Sequence, residues 1–238
     1  MSGFAGFSED AVKFFRGLRK NNTREWFQPR KDVFDTQIKA VMEDLVSLVN
    51  HELGKFAPLH IAEPRKAVYR IYRDTRFSKN KTPYKDHVAA NFPRQGMEKH
   101  AAAGFYFSVS DKEIEIAGGL YMPDKDGLRA VRTHIEESYE RFTKIINQKQ
   151  LVELLGPLQG DALMRVPRGF NPGSPAADWL RMKQWLYFQT LDGTKHMKSP
   201  ALLNEVATRF KVVAPFIAFL NEPLVKAAKK PSAAEMMF

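Results

Sequence analysis

The chain has no cysteine. That absence excludes disulfide scaffolds, thiolate zinc sites, iron–sulfur clusters and cysteine nucleophiles together, and it suits a reducing cytoplasm. Long apolar runs are missing as well. The longest, Val212 to Leu220, is interrupted by Pro215 and falls far short of the ~20 residues that span a bilayer, so no membrane partner is expected. The opening MSGFAGFSEDAVKF has no basic segment followed by a hydrophobic run and a small-residue cleavage site, and it does not read as a secretory leader. His51, His60, His87, His100, His134 and His196 show no paired spacing on an expected helix and no nearby carboxylate pair, so no metal site is expected. P-loop, G-x-G-x-x-G and G-x-S-x-G patterns do not occur, and no cofactor is implied.

Acid is the scarce charge. Asp and Glu total 27 against 37 Lys and Arg, giving a formal net charge of +10. Such an excess points to a polyanionic partner or an anionic ligand. Its distribution is uneven. Between Arg65 and Lys85 stand Arg65, Lys66, Arg70, Arg73, Arg76, Lys79, Lys81 and Lys85 with Asp74 as the only acid, so this stretch carries +7 of the +10. The excess is therefore a site rather than a coat. With 238 residues, 44% of them hydrophobic, the chain is long enough to bury a core without metal or disulfide support.

Periodicity predicts an α+β fold: an N-terminal helical pair, a central, mainly antiparallel sheet with helices packed on one face, and a C-terminal helix. Ser8 caps a first helix, with Glu9 and Asp10 in its first turn, Ala11, Val12, Phe14, Phe15 and Leu18 as its apolar positions, and Asn21 and Asn22 as its stop. After Trp26, Pro29 suits the first turn of a longer helix with the stripe Phe34, Ile38, Val41, Met42, Leu45, Leu48 and Val49, ending at Gly54. From Arg65 the period drops to two. Ala67, Tyr69 and Ile71 alternate with Val68, Arg70 and Tyr72 as a strand, and His87 to Phe92 reads as a second.

A hairpin follows, with Phe105, Phe107 and Val109 leading into Ser110, Asp111 and Lys112 and returning through Ile114 and Ile116. Gly118 and Gly119 suggest a bulge or a close backbone approach. Pro123 and Asp124 open one helix through Ile146, a short helix ends at Gly156 and Pro157, and Leu163 to Val166 reads as a brief strand. Trp185 to Leu191 has strand composition, and Ser199 and Pro200 begin a last helix that continues past Pro215. One domain is expected over 1–225, with 226–238 as a disordered tail.

The segment YRIYRDTRFSKNKTPYKD, Tyr69 to Asp86, carries the chemistry. Guanidinium groups are planar forks that fit carboxylate and phosphate oxygens, while lysine is a mobile point charge. Arg70, Arg73, Arg76, Lys81 and Tyr84 are the candidate ligand-binding residues, and Asp74 and Tyr84 the candidate catalytic ones. Asp74, beside Arg73 and two residues from Arg76, reads either as the partner that orients an arginine or as a general base. Tyr84, following Pro83, reads as a packing residue or, with a lowered pKa, as an acid or nucleophile. Strand alternation further places Arg70 and Tyr72 on one sheet face with His87, Asn91, Tyr106, Ser108 and Glu115, a polar face that is functional or simply wet.

Arg70, Arg73, Asp74, Arg76, Phe77, Lys81 and Tyr84 reproduce R-x-x-R-D-x-R-F-x-x-x-K-x-x-Y. This pattern resembles the signature of a bacterial and fungal family numbered 2461 in the domain-of-unknown-function series. Asn21-Asn22 with Trp26-Phe27 is similar to that family's N-N-x-x-x-W-F opening. Pro167-Arg168-Gly169-Phe170 followed by Leu180 and Lys183 is similar to its later P-x-G-F/Y and L-R-x-K segment. The resemblance covers about Phe7 to Leu220 and brings no activity with it.

The residues themselves support an anion-binding site for a phosphate- or carboxylate-bearing small molecule. A nucleic-acid-binding module would use the same cations on phosphates and Tyr72, Phe77 or Tyr84 on bases. A metal-independent enzyme acting on a phosphate ester would have Asp74 or Tyr84 move a proton. A purely structural network pinning the loop is the fourth reading.

Overall fold

A computed structural model describes residues 3–98 and 101–228. The fold is α+β, with a four-stranded antiparallel open sheet in the order β1-β2-β3-β4. The strands are β1 (Val88–Phe92), β2 (Gly104–Val109), β3 (Glu113–Leu120) and β4 (Trp185–Asp192). The helices are α1 (Glu9–Lys20), α2 (Arg24–Phe27), α3 (Lys31–Val33), α4 (Ala40–Phe56), α5 (Pro64–Ala67), α6 (Lys125–Glu137), α7 (Tyr139–Ile146), α8 (Lys149–Leu155), α9 (Ala177–Leu180), α10 (Gly193–His196) and α11 (Leu202–Ala228). Among the described residues no helix is long and apolar enough to cross a membrane. Contacts divide the chain into two compact units: Met1–Phe92, Tyr106–Ile116 and Thr190–Thr208 form the first, and Pro93–Phe105, Ala117–Gln189 and Arg209–Phe238 the second.

In the first unit, α1 forms as its sequence dictates. The Ser8 hydroxyl accepts the Ala11 N–H at 3.2 Å, Glu9 and Asp10 complement the positive helix end, and Asn21 is the C-cap. Its buried residues Phe14 and Phe15 join Trp26, Phe27 and Phe34 in an aromatic cluster with centroid separations of 5.4 to 6.0 Å. A Cβ on Gly17 would come within 2.5 Å of the Trp26 ring, so only glycine admits that packing.

The second helix begins with Pro29 in a 3₁₀ turn, Gln28–Arg30, and passes through a π-helical segment, Phe34–Lys39, before α4. The π turn accounts for the four-residue steps of the buried positions Phe34, Ile38 and Met42, because a wider turn keeps them on one face. The helix runs to Phe56, past the stop expected at Gly54.

In the second unit, the Asp124 carboxylate caps α6 through the Gly127 N–H at 2.7 Å. The single helix expected through Ile146 breaks at Ser138 into α6 and α7. Gly156, at φ 73°, ends α8 where expected. Gly119, at φ 141°, sits where a Cβ would lie 2.1 Å from the Trp185 carbonyl oxygen, which is the close approach the glycine pair suggests. The expected strand over Leu163 to Val166 does not form; a single bridge joins Ala162 to Met182 instead. The last helix continues through Pro215 and Pro223 to Ala228. Of the expected tail, 226–228 are its last residues, and 229–238 lie outside the described residues.

Candidate functional site

Pro64 at the first helical position makes Pro64–Ala67 a helical turn rather than the start of a strand. Beyond it the chain forms an arm of two extended stretches. Val68 bridges Ala90, the Tyr69 N–H donates to the Ala89 carbonyl at 2.8 Å, and Tyr72 bridges Tyr84. Nearer the tip the Lys85 N–H donates to Ile71 at 2.8 Å and the Arg73 N–H to Pro83 at 2.9 Å. The pairing thus slips by two residues on the return side, so the expected strand over Ala67 to Tyr72 is not a regular ladder. The slip turns Asp86 and His87 out of register.

The tip is braced by its own cations. The Arg73 Nη1 donates to the Thr82 hydroxyl at 2.7 Å and the Lys81 ammonium to the Thr75 carbonyl at 2.9 Å. Arg76 grips Asp74 through Nε at 3.0 Å and Nη2 at 2.7 Å, and its backbone N–H adds a third bond at 3.2 Å. Those bonds hold the Asp74 carboxyl at a pKa of about 2 and raise that of Arg76. Of the two readings of Asp74, this is the geometry of the ion pair. A carboxylate so acidic is a poor proton acceptor at neutral pH. Arg70 is exposed and has no hydrogen-bond or ion-pair partner among the described residues. At the tip Phe77 is 95% exposed, with the Arg76 guanidinium 5.8 Å from its ring centre.

Tyr84 lies apart from this solvent-facing group. Its side chain is 1% exposed and stacks on Phe27 at 4.1 Å with an interplanar angle of 15°. Burial pushes its hydroxyl pKa up, the reverse of what an acid or nucleophile requires. Tyr84 is therefore a packing residue at the base of the arm, not a group facing a ligand beside Arg70. Asn22 completes that base. Its side-chain amide donates to the Tyr84 carbonyl at 3.0 Å and its side-chain oxygen accepts the Tyr84 N–H at 3.0 Å, as a paired strand would.

A second attachment was invisible in the sequence. Asp111, in the hairpin turn, is buried and paired with Arg19 and with Arg16 at 3.4 Å, and Arg19 also reaches Asp86 at 3.6 Å. His87 lies 3.4 Å from the other oxygen of Asp86. The hydrogen bond with His87 and the Arg19 charge hold Asp86 at a pKa of about 2. Helical spacing does place Arg16 and Arg19 on one face, but nothing local pairs them with residues far along the chain.

Of the expected polar sheet face, Arg70 and Tyr72 are exposed, His87, Asn91, Tyr106 and Glu115 are half-buried, and Ser108 is buried. Ser108 is buried and bonds Glu115 at 3.1 Å, and Tyr106 packs against Tyr69 at 6.5 Å, with burial raising its pKa to about 12. Among the described residues no group of three or more His, Asp or Glu side chains is arranged to hold a metal ion.

No curated protein and no solved structure matches the chain. A family described as "Conserved hypothetical protein (DUF2461)" matches residues 10–219, a span that includes the arm, its Asn22 and Phe27 attachments, and the Leu180 to Lys183 segment. The chain belongs to that family.

Proposed function

We propose that the arm is an anion-binding site taking phosphate or carboxylate groups through Arg70, Arg73, Arg76 and Lys81, with the reducing cytoplasm as its setting. The observation that carries this reading is a braced loop in which Arg70, Arg76 and Lys81 are exposed and Arg73 half-buried around one acid, Asp74, which Arg76 already holds. A pre-ordered loop loses little conformational freedom when an anion docks, which favours binding. A compact small-molecule anion is the leading ligand. A nucleic-acid strand is the second reading, favoured by the fully presented Phe77 ring and the 45% exposed Tyr72, two faces on which bases can stack between phosphate contacts. Phosphate-ester chemistry receives less support, because Asp74 is strongly acidic and Tyr84 is buried with a raised pKa.

The test is titration of the full chain with adenosine triphosphate and with single-stranded oligothymidylate at about 50 and 200 mM salt. Arg70→Ala and Lys81→Ala should each weaken binding of whichever probe binds. For a strand the log–log salt slope should fall by about one per cation removed. A saturable, weakly salt-dependent triphosphate isotherm identifies the compact ligand, and a slope of several units with the oligonucleotide identifies the strand. Equal affinities for the wild type and an Arg70→Ala/Lys81→Ala double variant would overturn the proposal.

A further inference from the structure

The second unit contains a positive charge that its surroundings leave uncompensated. Arg132, on α6, is 7% exposed. Its Nη2 donates to the Met182 carbonyl at 2.8 Å, its Nε has no acceptor, and no carboxylate among the described residues lies within ion-pair range of it. A guanidinium does not shed its proton in a protein, so this charge cannot be relieved by neutralisation as a buried lysine's can. Burial without a partner is among the costliest arrangements available to a side chain.

Arg181 and Trp185, close to Met182 in the chain, each hold a buried donor with no acceptor. Arg181 pairs through Nη2 with Asp178 at 2.6 Å, yet its Nε is buried with no acceptor. The indole N–H of the fully buried Trp185 also has none. All three are donors that lack an acceptor, and at Arg132 the missing acceptor is one that carries negative charge. A water molecule would satisfy a donor but not the charge.

We propose that the second unit binds a small oxyanion, a phosphate or carboxylate group, at Arg132, with the Arg181 guanidinium and the Trp185 indole as further donors. The Met182 carbonyl orients the Arg132 fork, and the exposed Lys183 adds positive charge near the same stretch. This site stands on residues separate from the arm and does not depend on the arm's ligand.

The test is thermal unfolding of the full chain, dialysed exhaustively against chloride, in phosphate, acetate and chloride at matched ionic strength. Wild-type Tm should rise saturably with phosphate or acetate, by roughly 5–10 °C at about a hundred times Kd, and the effective salt identifies the preferred group. The variants are compared in an Arg70→Ala/Lys81→Ala background, which removes the arm's own share of any rise and should keep the rise that comes from the second unit. Arg132→Met should lose the response and, in chloride alone, melt at or above the wild-type temperature, because an uncompensated charge has been exchanged for apolar volume. Identical wild-type melting in all three salts, or an unchanged response in Arg132→Met, would overturn the site. Should Arg132→Met fail to fold, Arg181→Gln and Trp185→Phe remove one donor each. Either should move the phosphate midpoint about tenfold higher, and unmoved midpoints in both would equally exclude the proposal.

Discussion

The base and the tip of the basic arm are built from the same residue types and put to opposite uses. At the base, Tyr84 is 1% exposed, stacked on Phe27 and held by both its backbone groups to Asn22. At the tip, seven residues earlier, Phe77 is 95% exposed. An aromatic ring interleaved with cations is therefore not by itself a binding feature. Its place relative to the attachment points decides. The base fixes where the arm stands, and the tip spends its side-chain hydrogen bonds on its own shape.

That contrast is broken most severely from the base. Phe27→Ala removes the ring on which Tyr84 stacks, from a site 1% exposed, and should cost about 3–5 kcal/mol by denaturant unfolding. A loss below about 1 kcal/mol would mean that the base is not a packed core. Asn22→Ala leaves a backbone N–H and a carbonyl of Tyr84 without their partners and should cost about 1–3 kcal/mol. It should also speed amide exchange at Arg73 and Lys85, whose bonds lie along the freed arm. Exchange unchanged at those amides would show that the attachment is dispensable.

Acid should loosen the same base by a smaller amount. Asp86 has a folded pKa of about 2, depressed from an ordinary value of 3.8 by His87 and then by Arg19. A depressed carboxyl binds protons more readily in the unfolded chain. Its contribution is therefore fully present above about pH 4 and lost as pH falls through about 2. Half exposure screens the pair, so the effect is modest. Asp86→Asn should flatten that limb of the Tm against pH curve, and an unaltered limb would remove Asp86 from the attachment.

Legibility in the sequence followed the range of the interactions. The α1 cap, the β2–β3 hairpin, the strand at Trp185 and the run of α11 past Pro215 rest on residues a few positions apart, and period and capping chemistry disclose them. The arm was legible as charge. Its irregular ladder was not, since alternation at Tyr69, Ile71 and Tyr72 cannot reveal a two-residue slip caused by its return stretch. Asn22 read as a helix stop, although its side chain serves Tyr84, 62 residues away in sequence. The burial of Arg132 has no local signal, because burial of a charge is fixed by what the tertiary fold lays over it.

The smallest stability effect should come from the tip, where the comparison is sharpest. Phe77 contacts little besides Arg76, so Phe77→Ala should shift unfolding by no more than about 0.5 kcal/mol. The ring's value lies in what it offers a ligand. If the arm takes a nucleic-acid strand, loss of one stacking face costs about 1–3 kcal/mol of binding, close to tenfold or more in Kd for oligothymidylate, with the salt slope unchanged because no cation is removed. If the ligand is a compact anion gripped by Arg70 and Lys81, the same variant leaves triphosphate affinity where it was. Phe77→Ala thus divides the two readings with a protein whose fold is intact, whereas Tyr84→Ala divides nothing, because it disturbs the base on which both readings depend.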